Sequence, residues 1–144
     1  MALTAGLTTS FKVALLNAEM DFSSDTVQVF KCALYTSAAS LGPDTTAYTA
    51  TGEVANGSGY TTGGATLTIS TNPTSGSGIA FMDFADPTWS SSSITARGAM
   101  IYKSGGGNPS VAIIDFGADV TTSSATFTVQ IPPVGSATSI IRLI

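Results

Sequence analysis

The side chains that could carry acid–base chemistry in this chain are carboxylates, because the sequence contains no histidine. The lack of histidine removes the commonest general base, the usual zinc ligand and every Ser-His-Asp arrangement. Two carboxylate pairs lie close together in sequence, Asp83 with Asp86 and Asp115 with Asp119. A glycoside hydrolase needs such a pair across a cleft, but these four lie beside predicted strand ends, where aspartate commonly caps turns.

Calcium could bind to loop carboxylates, but the alternating spacing Asp-x-Asp-x-Asp does not occur. The single cysteine, Cys32, lies in the middle of a predicted strand without a histidine partner, and we expect it to be a small buried apolar residue. We expect Arg97 to pair with Asp115 across a hairpin. These readings predict no catalytic residue, no metal ligand, no cofactor and no enzymatic activity.

The glycine-rich stretch Gly57–Ser70, "GSGYTTGGATLTIS", is the other candidate for chemistry, since such runs can cradle a phosphate. A Walker-type loop requires a lysine before a helix, and a dinucleotide loop lies between a strand and a helix. This stretch has no lysine and continues into an alternating strand pattern. It therefore predicts a turn whose glycines allow positive φ or close backbone approach at the start of a strand.

Composition narrows the classes of partner. Charged residues make up 10% of the 144 residues, mean hydropathy is +0.33 and net charge is −4. No apolar run approaches the roughly 18 residues that span a bilayer, and the N-terminus has no pattern typical of a secretory signal. The acidic balance argues against nucleic acid. We expect neither nucleic acid nor membrane as a partner, and expect apolar surface to be buried in the core or against a subunit.

One convincing helix is predicted, over Ser10–Met20, with Thr8, Thr9 and Ser10 as possible N-cap residues. Its apolar arc is wider than packing on one side requires, so it either packs on a sheet or is shared with another subunit. Trp89 is either a core residue or an interface anchor. The candidate subunit-interface residues are Phe11, Leu15, Leu16, Met20 and Trp89.

The rest of the chain alternates strand patterns with Gly, Ser and Pro turns, and Ser90–Ser93 is interpreted as loop. The predicted strands are Thr26–Thr36, Thr66–Thr71, Gly78–Phe84, Ile94–Lys103, Ser110–Phe116, Ala125–Ile131 and Ala137–Ile144. The first has apolar residues in both phases, as in a strand covered on both faces. The pattern predicts an all-β protein, an antiparallel, jelly-roll-like β-sandwich with one short N-terminal helix. We expect one domain, 1–144, with an arm and helix in 1–25 and the sandwich in 26–144.

Five segments follow one another along the chain: "FKVALLNAEMDFSSDTVQVFKCALYTS" (Phe11–Ser37), "GSGYTTGGATL" (Gly57–Leu67), "ITARGAMIYK" (Ile94–Lys103), "VAIIDFG" (Val111–Gly117) and "IIRLI" (Ile140–Ile144). In this order they resemble segments of small virion proteins of tailed bacteriophages, including capsid decoration or cement proteins. The resemblance covers most of the chain and rests on turns and strands.

The resemblance implies a structural protein, made in the host bacterial cytoplasm, that lies on the outer surface of the capsid. Its expected partners are the major capsid protein and copies of itself in a dimer or trimer. A phage tail or fibre component is one alternative. A carbohydrate-binding β-sandwich is another, although the tyrosines and the tryptophan of this chain are scattered along the sequence. A small hydrolase is the least favoured alternative.

Overall fold

The computed structural model describes residues 3–144, which form an all-β, sandwich-like fold with one short helix, as predicted. The helix is α1 (Thr9–Leu16). The strands are β1 (Gly6–Leu7), β2 (Val29–Tyr35), β3 (Ala65–Thr66), β4 (Ile69–Gly76), β5 (Ile79–Phe84), β6 (Thr88–Ser92), β7 (Thr95–Ser104), β8 (Ser110–Thr121), β9 (Ala125–Thr128) and β10 (Ile141–Leu143). The helix is too short to cross a membrane, and no other helix occurs among the described residues.

The largest sheet has the strand order β1-β8-β7-β2-β3, with antiparallel pairing throughout. Its centre is the predicted hairpin of β7 and β8 around Ser104–Pro109, although β8 continues beyond the predicted end at Phe116. The predicted pairing of Arg97 with Asp115 is confirmed, with 3.3 Å between Nε and Oδ1. Asp115 lies opposite Gly98 in the register of β7 and β8, which brings its side chain beside Arg97.

Both faces of this sheet are covered, as the apolar residues in both phases of β2 predict. Cys32 and Leu34 belong to the main core, which lies between the large sheet and two smaller ones. Ala33 and Tyr35 point to the opposite face, where a second apolar cluster includes Leu41 from the long connection after β2. Burial also raises the pKa of Cys32 to about 12, so this thiol is the inert core residue that the sequence predicts.

The smaller sheets have the orders β10-β5-β4 and β6-β9. The interpretation of Ser90–Ser93 as loop is wrong for its first three residues, which belong to β6; Ser92 pairs with Ala125 of β9 after a register shift that follows Trp89. Ser92 is buried, and its hydroxyl donates to the carbonyl of Ala125 at 2.9 Å. Serine has little strand signal of its own, so this strand depends on its partner and on the buried Trp89.

Helix α1 begins one residue before the predicted start at Ser10 and ends four residues before the predicted end at Met20. The side chain of Thr8 accepts a hydrogen bond from the amide of Phe11, which caps the N-terminus. Ala18 has φ 59°, and the amide of Glu19 donates to the carbonyl of Ala14 at 2.9 Å. This is a Schellman-type ending, which reverses the chain after Leu16. Met20 and the following residues therefore run back over the molecule instead of extending the helix.

The glycine-rich stretch is a turn, as predicted. Gly57, Gly59, Gly63 and Gly64 all have positive φ, between 84° and 112°. At Gly64 the backbone lies against strand β2 so closely that a Cβ would overlap the carbonyl oxygen of Cys32. Gly64 thus permits the chain to enter β3 beside β2.

Candidate interaction surface

Three of the four carboxylates considered as catalytic pairs, Asp86, Asp115 and Asp119, are engaged in hydrogen bonds or exposed on the surface. Asp115 forms an ion pair with Arg97 and accepts a hydrogen bond from the amide of Gly117 at 2.9 Å. Asp86 is exposed and accepts a hydrogen bond from the amide of Ile131 at 2.8 Å, while Asp119 lies on the exposed end of β8. These contacts give Asp86 and Asp115 structural partners within the chain. Across residues 3–144 there is no group of three or more side chains that could hold a metal ion.

Asp83 on β5 is different, because it is buried and its Oδ1 has no hydrogen-bond partner within the described part of the chain. Burial, and to a smaller extent the nearby Asp86, raises the pKa of Asp83. A raised pKa in the folded state means that protonation favours folding. The stabilisation is complete below the unfolded-state pKa of about 3.9, and it is lost as pH rises through the higher folded-state value.

We expect Asp83→Asn to increase the free energy of unfolding at pH 7 by about 1 kcal/mol, because it removes a buried charge. The gain should vanish near pH 3, where Asp83 is protonated in both states. Urea denaturation at the two pH values measures both differences. Asp119→Asn, which removes an exposed carboxylate, is the matched control and should change stability little at either pH. Equal effects of the two substitutions would contradict this account of Asp83.

Glu53 lies at the centre of a cluster of tyrosines that are far apart in the sequence. The hydroxyls of Tyr48 and Tyr60 each donate to its carboxylate at 2.6 Å, and the amide of Gly63 donates at 2.7 Å. Tyr102 joins the group because its hydroxyl donates to the carbonyl of Gly63 at 2.6 Å. Nothing in the local sequence signals this cluster, since its members come from the long connection, the glycine-rich turn and β7.

The Glu53 cluster is a structural network. Tyr35 extends it by donating to the carbonyl of Thr49 at 2.7 Å, and the Tyr48 ring stacks on that of Tyr102 at 4.8 Å. Burial first, and Glu53 second, raises the pKa of all four tyrosines. They therefore remain protonated donors at neutral pH. With three of the four rings buried, the cluster offers no flat aromatic platform of the kind a sugar-binding site uses.

The five candidate interface residues fall into two groups. Phe11, Met20 and Trp89 are buried within the chain itself, with Trp89 between Tyr60 and Phe127. Leu15 is half-buried, whereas Leu16 is 88% exposed. Trp89 is therefore a core residue of this chain. The exposed apolar surface begins at the end of helix α1.

An apolar cleft of about 420 Å³ lies at this end of the helix. Residues 15–22 form one wall, and the β10-β5-β4 sheet forms the other. The lining residues are Leu15, Ala18, Met20, Asp21, Phe22, Pro73, Ala80, Phe81, Met82, Ile141 and Leu143. Leu143 is 53% exposed and the adjoining Ile144 is 97% exposed, so uncovered aliphatic surface continues from the cleft along the end of the chain.

The wall formed by residues 15–22 is fixed by polar side chains. Gln28 accepts from the amide of Asp21 at 2.8 Å and donates to the carbonyl of Glu19 at 3.2 Å. Asn72 of β4 accepts from the amide of Ser24 at 2.6 Å, which ties this segment to the opposite wall. The cleft is therefore built by contacts between the N-terminal segment and the small sheet.

The segment that forms one wall of the cleft carries two carboxylates, Asp21 and Glu19, which we call the rim. Asp21 is the charged lining residue of the cleft, and Glu19 is exposed between two further lining residues. Hydrogen bonds from the hydroxyl and the amide of Ser23 lower the pKa of Asp21, so its carboxylate is charged well below neutral pH. Lys103 lies against the same segment, with its ammonium donating to the carbonyl of Glu19 at 2.8 Å.

The cleft is lined by apolar side chains, and Asp21 is the one ionisable side chain among its lining residues. Sequence reasoning found Leu15 and Met20 in its lining and missed the sheet wall. The apolar residues Leu143 and Ile144 were the sequence signal that could have pointed to this wall.

Comparisons of the chain with protein-family models, with curated proteins and with solved structures find no match.

Proposed function

We propose that the protein is a structural virion component, a cement or decoration protein that binds the outside of an icosahedral phage capsid and stabilises contacts between major capsid proteins. The observation that carries the proposal is the apolar cleft with exposed Leu16, Leu143 and Ile144 nearby. Exposed apolar surface of this kind is typical of protein interaction sites. The resemblance of the sequence to small phage virion proteins supplies the capsid as the partner.

Capsid binding of this kind requires no reactive centre in the protein. A shell presents many copies of one site, so modest contacts repeated around it add up to a large stabilisation. A protein that binds only the expanded shell stabilises that state by mass action. Such proteins are commonly placed at symmetry axes, which favours a dimer or trimer of the present chain.

The test is to add the purified protein to expanded heads that lack their decoration protein. We expect saturable binding with a fixed number of copies per head, and slower disruption of decorated heads on heating. Unexpanded heads are the control and should bind less. Absence of binding at micromolar protein, or binding to isolated tails instead of heads, would contradict the proposal.

A further inference from the structure

We propose that the cleft at the end of helix α1 receives a segment of the partner protein that combines aliphatic side chains with a lysine or arginine. The proposal rests on the proposed function and deepens it, because it names the surface that would hold the capsid subunit. It commits to a segment of a different protein as the occupant of the cleft.

The shape and lining of the cleft fit the aliphatic part of this segment. Its volume of about 420 Å³ falls within the range of about 300–1,000 Å³ that is usual for ligand pockets. Its walls present Leu15, Phe81 and Leu143 among other apolar side chains. Burying aliphatic groups there would remove apolar surface from water on both partners, which is the main favourable term in association.

The charge of the rim fits the basic part. Asp21 and Glu19 are exposed carboxylates, and the one ion pair among residues 3–144 joins Arg97 to Asp115 on another sheet. Lys103 is the cation that lies against this segment, and it donates to a backbone carbonyl. A lysine or arginine of a partner could therefore meet carboxylates that have no salt-bridge partner, which favours encounter and sets orientation.

The same charges disfavour a second copy of this chain in the cleft. A symmetric contact places the same surface patch on both sides, so the carboxylates of each rim would face those of the other. Like charges across an interface are costly. Arg142, the basic residue of β10, is not among the residues that line this cleft, and its guanidinium donates to the carbonyl of Ser136 at 3.3 Å.

A labelled peptide of sequence Gly-Leu-Ile-Leu-Lys-Lys-Gly tests the recognition directly by fluorescence anisotropy. Two control peptides replace either both lysines with glutamate or the three aliphatic residues with serine. We expect binding of the first peptide, weakened by salt, and at least tenfold weaker binding of both controls. Equal binding of the lysine and glutamate peptides, or no binding of the first peptide at millimolar concentration, would overturn the proposal.

Variants of the protein test whether the peptide binds in the cleft. Leu143→Ser should weaken binding about tenfold, because the side chain lines the cleft. Val134→Ser is its control, since Val134 is 50% exposed, outside the cleft lining. The double change Glu19→Gln with Asp21→Asn should weaken binding about threefold, whereas Asp44→Asn with Asp119→Asn should not. If the cleft variants bind like their controls, the proposal is overturned.

Decoration of heads by the same variants separates this proposal from the proposed function. If the wild-type protein and the Leu143→Ser variant decorate heads equally well, the cleft is not the binding surface, but the proposed function still stands. Peptide binding with the expected dependence on Leu143 and the rim charges, but with heads left bare, would support the cleft and reject the capsid as partner.

Discussion

Replacing Gly64 with alanine is expected to lower the free energy of unfolding by about 4 kcal/mol, or to prevent folding. Two costs add. Gly64 has φ +84°, a conformation that costs an L-residue about 1–2 kcal/mol. The new Cβ would also overlap the carbonyl oxygen of Cys32 and approach the Cα of Ala33 to 2.7 Å. Both atoms are backbone of strand β2 in the central sheet, so relief requires β2 and β3 to separate.

Gly63→Ala is the matched control because it isolates the conformational cost. Its φ is +97°, but the nearest atom to an added Cβ is the hydroxyl of Tyr102 at 3.5 Å. We expect a loss of about 1–2 kcal/mol from the backbone conformation alone. Urea denaturation followed by tryptophan fluorescence measures both variants. A Gly64→Ala protein as stable as Gly63→Ala would show that the close approach to β2 contributes nothing.

Much of the fold could be predicted because the signals are local. The Gly-rich loop Ser104–Pro109 between two apolar runs predicts the central hairpin, and that hairpin in turn brings Arg97 to Asp115. The apolar residues in both phases of β2 predict its two covered faces. The lack of lysine in the glycine-rich stretch separates a turn from a phosphate loop.

Other features could not be predicted because they depend on partners distant in sequence. The helix ends at Leu16 because Ala18 adopts a left-handed conformation, which alanine does not signal. Strand β6 contains a serine run and exists through its pairing with β9. The distribution of the strands over three sheets likewise follows from pairings that no single segment specifies.

The candidate site could be predicted in part. The wide apolar arc of the helix directs attention to the region of Leu15, Leu16 and Met20, and the structure places Leu15 and Met20 in the lining of the cleft. It cannot distinguish a residue buried by its own chain, such as Phe11, from one left exposed, because that depends on the course of the chain after the helix. The sheet wall is contributed by residues more than 50 positions away in sequence, and only folding brings it opposite the helix end.

Replacing Glu53 with alanine is the second substitution for which we expect a large effect, a loss of about 3 kcal/mol in the free energy of unfolding. The carboxylate accepts hydrogen bonds from Tyr48, Tyr60 and the amide of Gly63. Removing it leaves three donors without this acceptor, and each buried donor left unpaired costs about 1–3 kcal/mol. Partial access of water to this half-buried site reduces the sum. Urea denaturation measures the loss, and amide exchange at Gly63 should rise with it.

Two further variants test whether the loss comes from the Glu53 network. Asp44→Ala removes an exposed carboxylate from the same long connection, and it should change stability by less than about 0.5 kcal/mol. Tyr102→Phe removes a donor that reaches Glu53 only through the peptide of Gly63. If the network acts as a unit, the combined loss from Tyr102→Phe and Glu53→Ala will be smaller than the sum of the separate losses, because Glu53→Ala already loosens the Gly63 peptide. Strict additivity, or an Asp44→Ala loss equal to that of Glu53→Ala, would mean that Glu53 does not organise this part of the fold.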